Sequence, residues 1–147
     1  MLHFHGIEYA QTLAQLHAQS FAEPWPLEVF QQILSLPSSF GFCSENGFIL
    51  CSDLKDDLEI LTFAVNPSYR RKGLGSQLLA QLQDFALKHN KKHIFLEVST
   101  VNKAALALYY KYHFTQTGCR KNYYHENGQN IDALCLTWSN PHPKNQD

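Results

Sequence analysis

Val65-Asn66-Pro67-Ser68-Tyr69-Arg70-Arg71-Lys72-Gly73-Leu74-Gly75-Ser76 is the stretch on which the reading of this chain turns. To its left, Leu58 to Val65 predicts a strand that Asn66-Pro67 ends. To its right, Leu74, Leu78, Leu79, Leu82, Phe85 and Ala86 recur at helical spacing over Gly73 to His89. Two glycines at such a junction let the backbone turn tightly and bring several N–H groups toward one point. The helix start adds unsatisfied donors and a positive dipole end, and Arg70, Arg71 and Lys72 add formal charge just before it. A pyrophosphate is the ligand that suits this arrangement. Gly-x-Gly is a weak signal taken alone, and the plain alternative is a glycine-softened turn among solvated basic residues. The stretch is neither Gly-x-x-x-x-Gly-Lys-Ser/Thr nor a three-glycine dinucleotide fingerprint.

Working outward, residues 2–5 predict a short strand and Ile7 to Phe21 an amphipathic helix, which Pro24-Trp25-Pro26 breaks. A second helix is expected from Leu27 to Leu34, closed off by Pro37. Phe40–Cys43 and Phe48–Cys51 flank Glu45-Asn46-Gly47 and read as a hairpin. Beyond the central helix come a strand at Ile94–Val98, a helix at Lys103–Tyr112, and strands at Thr115–Tyr124 and Ile131–Trp138 about an Asn127-Gly128 turn. The expected fold is mixed α/β (α+β): about seven mostly antiparallel strands flanked by about four helices. One domain is expected over residues 1–147, with 139–147 as a loose polar tail.

Composition narrows the function classes. Of 147 residues, 44% are hydrophobic and 17% charged, enough for one core without metal or disulfide support. The balance of 12 Lys+Arg against 13 Asp+Glu lacks the basic excess of a nucleic-acid binder. Cys43, Cys51, Cys119 and Cys135 have no Cys-x-x-Cys spacing and read as free thiols in a reducing compartment. His3 and His5 alternate on a strand without a carboxylate or cysteine partner, so no metal site is expected. The first residues carry neither a basic segment nor a continuous apolar run; no secretory signal or membrane span is expected, and the cytoplasm is the expected location.

Arg70-Arg71-Lys72-Gly73-Leu74-Gly75 resembles the Arg/Gln-x-x-Gly-x-Gly/Ala signature of the GNAT acetyltransferase superfamily, in the strand-to-helix position where that superfamily carries it. Leu96-Glu97-Val98, Asn102, Ala104 to Tyr109, and Phe114 agree independently and are similar to the RimI-type ribosomal-protein alanine N-acetyltransferases. Pro24-Trp25 and Asn122-Tyr123-Tyr124 extend the likeness over the whole chain except its tail. The resemblance implies acetyl-CoA as donor and an amine as acceptor. It implies that the backbone of Phe63, Ala64 and Val65 pairs with the pantetheine arm, that Arg70 through Ser76 hold the pyrophosphate, and that Asn102 and Tyr109 also contact the cofactor. Glu97 would be the general base, Tyr109 the general acid, and Trp25, Tyr123 and Tyr124 would face the acceptor.

The roles suit the chemistry. An amine attacks a thioester only when neutral, and a carboxylate within reach removes its proton as the bond forms, while a phenol protonates the departing thiolate. Glu59 is the second candidate base, since alternation along its strand places it with Leu61, Phe63 and Val65. Tyr110 and Tyr112 read as packing residues. By the same alternation Tyr123 and Tyr124 lie on opposite faces, so one of them would face the groove. Three features depart from the RimI pattern: His113 stands where relatives carry glycine, Pro26 replaces a Ser or Thr, and Phe40–Asp57 has little counterpart. The resemblance makes the N-terminal α-amine of a protein the leading acceptor, with a small amine as the alternative and a non-catalytic CoA-binding module as the reading outside enzymology.

Overall fold

The computed structural model describes residues 1–126 and 128–144. Strands β1 (Leu2–Phe4), β2 (Ser39–Ser44), β3 (Gly47–Asp53), β4 (Asp57–Val65), β5 (His93–Ser99), β6 (Thr115–Glu126) and β7 (Gln129–Ser139) form one sheet in the order β1-β2-β3-β4-β5-β7-β6. All joints are antiparallel except β4–β5. Helices α1 (Ala10–Ser20) and α2 (Leu27–Leu34) precede the first hairpin; α3 (Leu74–Lys88) and α4 (Lys103–Lys111) flank β5 in sequence. The expected α/β class, seven strands and four helices are all present. Ile7–Tyr9, expected as the first turn of α1, is a separate tight turn.

Each face of the sheet carries its own apolar layer. Leu78, Leu79, Leu82 and Ala86 of α3, with Leu106 and Tyr109 of α4, pack on Ile49, Cys51, Leu58, Ile60, Ile94, Leu96 and Val98. Ala10, Leu13 and Leu16 of α1, with Phe30 and Leu34 of α2, pack on Phe48, Leu50 and Ala64. Neighbours along β3 thus divide between the two layers, as the period of a strand requires. Helix α2 starts at Pro26 without a side-chain cap, the structural consequence of a proline where a hydroxyl would have served.

Two expectations from strand alternation fail for one physical reason. In β4 the register slips: Leu50 faces Thr62 and Cys51 faces Ile60, leaving Leu61 as an extra residue. This bulge reverses the phase of the strand. Glu59 and Leu61 share one face, but Phe63 and Val65 pack with Leu58 and Ile60 against the α3/α4 layer. In β6 Arg120 pairs with Ala133 and Tyr124 with Ile131, so Lys121, Asn122 and Tyr123 oppose the single residue Asp132. Asn122 has a left-handed φ of 56° and donates its backbone N–H to Asp132 Oδ1 at 2.9 Å. The bulge folds Tyr123 and Tyr124 together, ring centroids 5.1 Å apart, instead of onto opposite faces.

The expected loose tail from Ser139 is held at least as far as Lys144. Ser139 ends β7, Asn140 is buried and donates to Lys91 O at 2.8 Å, and Asn90 exchanges two hydrogen bonds with the Lys144 backbone. Residues 145–147 and Asn127 of the expected turn lie outside the described residues.

Candidate active site

The parallel joint makes the opening. Strands β4 and β5 pair only over Asp57–His93, Leu58–Ile94 and Glu59–Phe95. Beyond them the strands part, with Ile60–Val65 on one bank and Leu96–Ser99 on the other. The basic, glycine-bearing loop leaves the far end of β4 beside this gap.

That loop is fixed by its own side chains. Asn66 Oδ1 accepts from Ser68 N–H at 3.1 Å, and Asn66 N–H donates to Asn46 O at 2.7 Å. Arg71 and Gly73 both take left-handed φ, 65° and 85°, which Gly73 adopts without strain. The first bond of α3 runs from Gln77 N–H to Gly73 O at 2.9 Å, so the amides of Leu74, Gly75 and Ser76 have no intrahelical acceptor. No side chain caps them. A Cβ on Gly75 would come within 3.3 Å of Leu108 Cδ2, so glycine keeps α3 close to α4 here. Three free amides at an uncapped helix start fit a pyrophosphate.

The basic residues divide in role. The Arg70 guanidinium donates to Val65 O and Ser20 O, each at 3.2 Å, and so ties the end of β4 to the end of α1. Ser20 Oγ also donates to Val65 O, which occupies that carbonyl of the segment expected at the pantetheine arm. Arg71 and Lys72 are exposed, the latter over the Tyr69 ring at 5.3 Å, and these two can turn toward an anion. Asn102 caps α4, its Oδ1 accepting from Ala105 N–H at 3.2 Å.

Glu97 projects from β5 on the α1/α2 side, because Ile94, Leu96 and Val98 fill the opposite layer. Arg120 Nε meets Glu97 Oε1 at 3.0 Å. Tyr109 lies in the α3/α4 layer, between Phe63 at 6.2 Å and Phe114 at 5.5 Å. Burial, and after it Cys51 and Tyr124, push its phenol well above the usual range, so it keeps its proton until a strong base forms beside it. Tyr124 is raised as well, by burial first and by the Glu97 carboxylate next.

Tyr109 owes its place to the helix end after it. His113 has a left-handed φ of 70°; its N–H donates to Tyr110 O at 3.1 Å and that of Phe114 to Tyr109 O at 3.0 Å. These two bonds and the Tyr109–Phe114 ring contact make a Schellman cap with histidine where glycine is favoured.

Two residues enter that sequence patterns did not single out. One is Arg120, whose guanidinium lies over the Tyr123 ring. The other is His17, 3% exposed, whose Nδ1 accepts from Trp25 N–H at 3.1 Å. Trp25 packs between His17 and Phe30, at 5.2 and 5.7 Å, so it anchors the α1–α2 connection to the core.

A sheet parted at its one parallel joint, with an uncapped helix start beside the gap, suits a ligand that joins an extended arm to a pyrophosphate. A model of the acetyltransferase (GNAT) family matches residues 10–114. The Mycobacterium tuberculosis N-alpha-acetyltransferase RimI is 35% identical over 130 residues, covering 81% of this chain and 80% of its own. The crystal structure of ribosomal-protein-S18-alanine N-acetyltransferase from Escherichia coli superposes with a TM-score of 0.82 at 27% identity, covering 88% of this chain and 86% of that one. Arabidopsis thaliana NAA60, solved with acetyl-CoA, shares the fold at a TM-score of 0.76 and 17% identity, covering 94% and 97%. The chain belongs to the GNAT family and is an acetyl-CoA-dependent N-acetyltransferase. Among the described residues no helix is long and apolar enough to cross a membrane.

Proposed function

We propose that this enzyme acetylates the N-terminal α-amine of a protein, of the ribosomal-protein alanine type, in the cytoplasm. The observation that supports the reading is the short β4–β5 pairing, with Glu97 on β5 beyond it and Tyr109 packed against Phe63 of the facing β4 segment. The similarity to N-alpha-acetyltransferase RimI and to the ribosomal-protein-S18-alanine N-acetyltransferase supports the acceptor.

Acetyl-CoA supplies the thioester carbonyl and a thiol leaving group. Phe63, Ala64 and Val65 line the bank along which its arm would lie, and the amides of Leu74, Gly75 and Ser76, with Arg71, Lys72 and the Asn102 amide group, would hold its polar parts. Glu97 takes the proton that the acceptor nitrogen loses as its bond to carbon forms. Tyr109 would give its proton to the sulfur as the carbon–sulfur bond breaks, and the cycle closes when Glu97 releases the amine proton and the phenol regains one. Trp25, Tyr123 and Tyr124 present aromatic surface to the peptide end.

An α-amine with pKa near 7.7 is neutral in roughly one molecule of six at pH 7, a lysine side chain in about one of 2,500. A single carboxylate base matches the easier amine. The test is turnover of an Ala-starting peptide against the same peptide with its N-terminus blocked and a lysine free. Faster turnover of the first is expected; equal or faster turnover of the second would remove the N-terminal assignment.

A further inference from the structure

We propose that Arg120 is a specificity-determining residue: its guanidinium is the resident cation of Glu97, and an acceptor reaches that carboxylate only in competition with it. The inference rests on the reading of Glu97 as base and adds what guards that base. Arg120 Nε sits 3.0 Å from Glu97 Oε1 while its guanidinium carbon lies 5.3 Å from the centre of the Tyr123 ring. The arrangement is built by the fold. Arg120 pairs with Ala133, which pairs in turn with Ser99, so Arg120 shares the sheet face of Glu97 and its long side chain reaches across the intervening β7. The β6 bulge, pinned by Asn122 N–H on Asp132, turns the Tyr123 ring under the guanidinium.

The pair is displaceable. The Arg120 side chain is 58% exposed and that of Glu97 28%, and an exposed ion pair changes an equilibrium by up to about fivefold. An acceptor arriving as an ammonium meets a like charge at the carboxylate it needs. An acceptor partly neutral at working pH meets less of it. Arg120 therefore disfavours lysine-type amines more than α-amines, and raises the acceptor KM for both.

The experiment measures steady-state kinetics of wild type, R120Q, R120K and E97Q with the Ala-starting peptide and the N-blocked lysine peptide, at saturating acetyl-CoA. Circular dichroism first establishes that each variant is folded. R120Q is expected to lower the acceptor KM by about two- to fivefold, with kcat within about twofold and the acetyl-CoA KM unchanged. It should also narrow the preference for the α-amine, and R120K should restore wild-type behaviour. An acceptor KM that rises or stays put in R120Q, or a fall in kcat alone, would overturn the proposal and leave Arg120 a mere support of Glu97. Failure of the underlying reading looks different: E97Q would then keep the wild-type kcat, whatever R120Q does.

Discussion

His17 and Trp25 are bonded through a ring that must be neutral. The Trp25 N–H can only donate, so His17 Nδ1 accepts, and the ring proton sits on Nε2, 3.1 Å from Thr62 Oγ1. Protonating His17 would abolish the bond that holds Trp25 and place a charge among Phe21, Trp25 and Phe30.

Stability should therefore fall with acid in a defined window. Burial lowers the His17 pKa from 6.5 to about 4. Below 6.5 the unfolded chain binds a proton that the folded chain refuses, so this contribution is complete above pH 6.5 and is lost progressively toward pH 4. The total is on the order of 3 kcal/mol. His3, also lowered by burial, acts in the same direction. Urea unfolding between pH 7.5 and 4.5 is expected to show the decline, with a shallower slope in H17Q; parallel slopes would contradict the role given to His17.

The left-handed histidine after α4 predicts a stabilising substitution. H113G relieves a backbone conformation that costs a side chain about 1–2 kcal/mol, less what glycine loses in chain entropy. A net gain of about 0.5–1 kcal/mol is expected, seen as a rise of a few degrees in Tm. A lowered Tm would show that the imidazole contributes more than the strain.

Gly73 has a left-handed φ and open space around it, so G73D adds strain and a negative charge without a clash. Acetyl-CoA affinity by calorimetry should drop at least about tenfold, because the charge would face the amides proposed to receive the phosphates. Unchanged affinity in a folded G73D protein would move the pyrophosphate elsewhere.

For the acid–base pair, E97Q should lower kcat by about 10²-fold or more while leaving acetyl-CoA affinity intact. E59Q should cost little, since Glu59 sits in the closed part of the β4–β5 joint, opposite Phe95, whereas Glu97 lies beyond it where the strands part. A large loss in E59Q with a small one in E97Q would exchange their roles.

Legibility followed the regularity of the backbone. The helical spacing of Leu74 to Ala86 and the Asn-Gly turn after β2 were sufficient for α3 and the first hairpin, because periods of 3.6 and 2 are local properties. The strand-to-helix loop was legible for the same reason, its glycines and charges being consecutive. The faces of Phe63, Val65, Tyr123 and Tyr124 were not, because one inserted residue in β4 and two in β6 break the alternation used to assign them. Those insertions are settled by partners far along the chain, such as Asp132 for Asn122, which no short window contains. Arg120 and His17 escaped notice likewise: an arginine among polar strand residues and a histidine on an amphipathic helix carry no local mark of what they touch. The tie from Lys144 to Asn90 is again a contact across 54 positions.

The short joint between β4 and β5 gives the sheet a seam. Four strands lie on one side and three on the other, and direct strand pairing joins the two groups only at Asp57–Glu59 against His93–Phe95. The shared apolar layer under α3 and α4 closes the seam from one face alone. A ligand lodged along the open part would rivet the two plates, so occupancy and rigidity become one property. Amides of Ile60–Val65 and Leu96–Ser99 would then exchange with deuterium fastest in the empty enzyme, making the seam a gauge of how much of the enzyme is loaded.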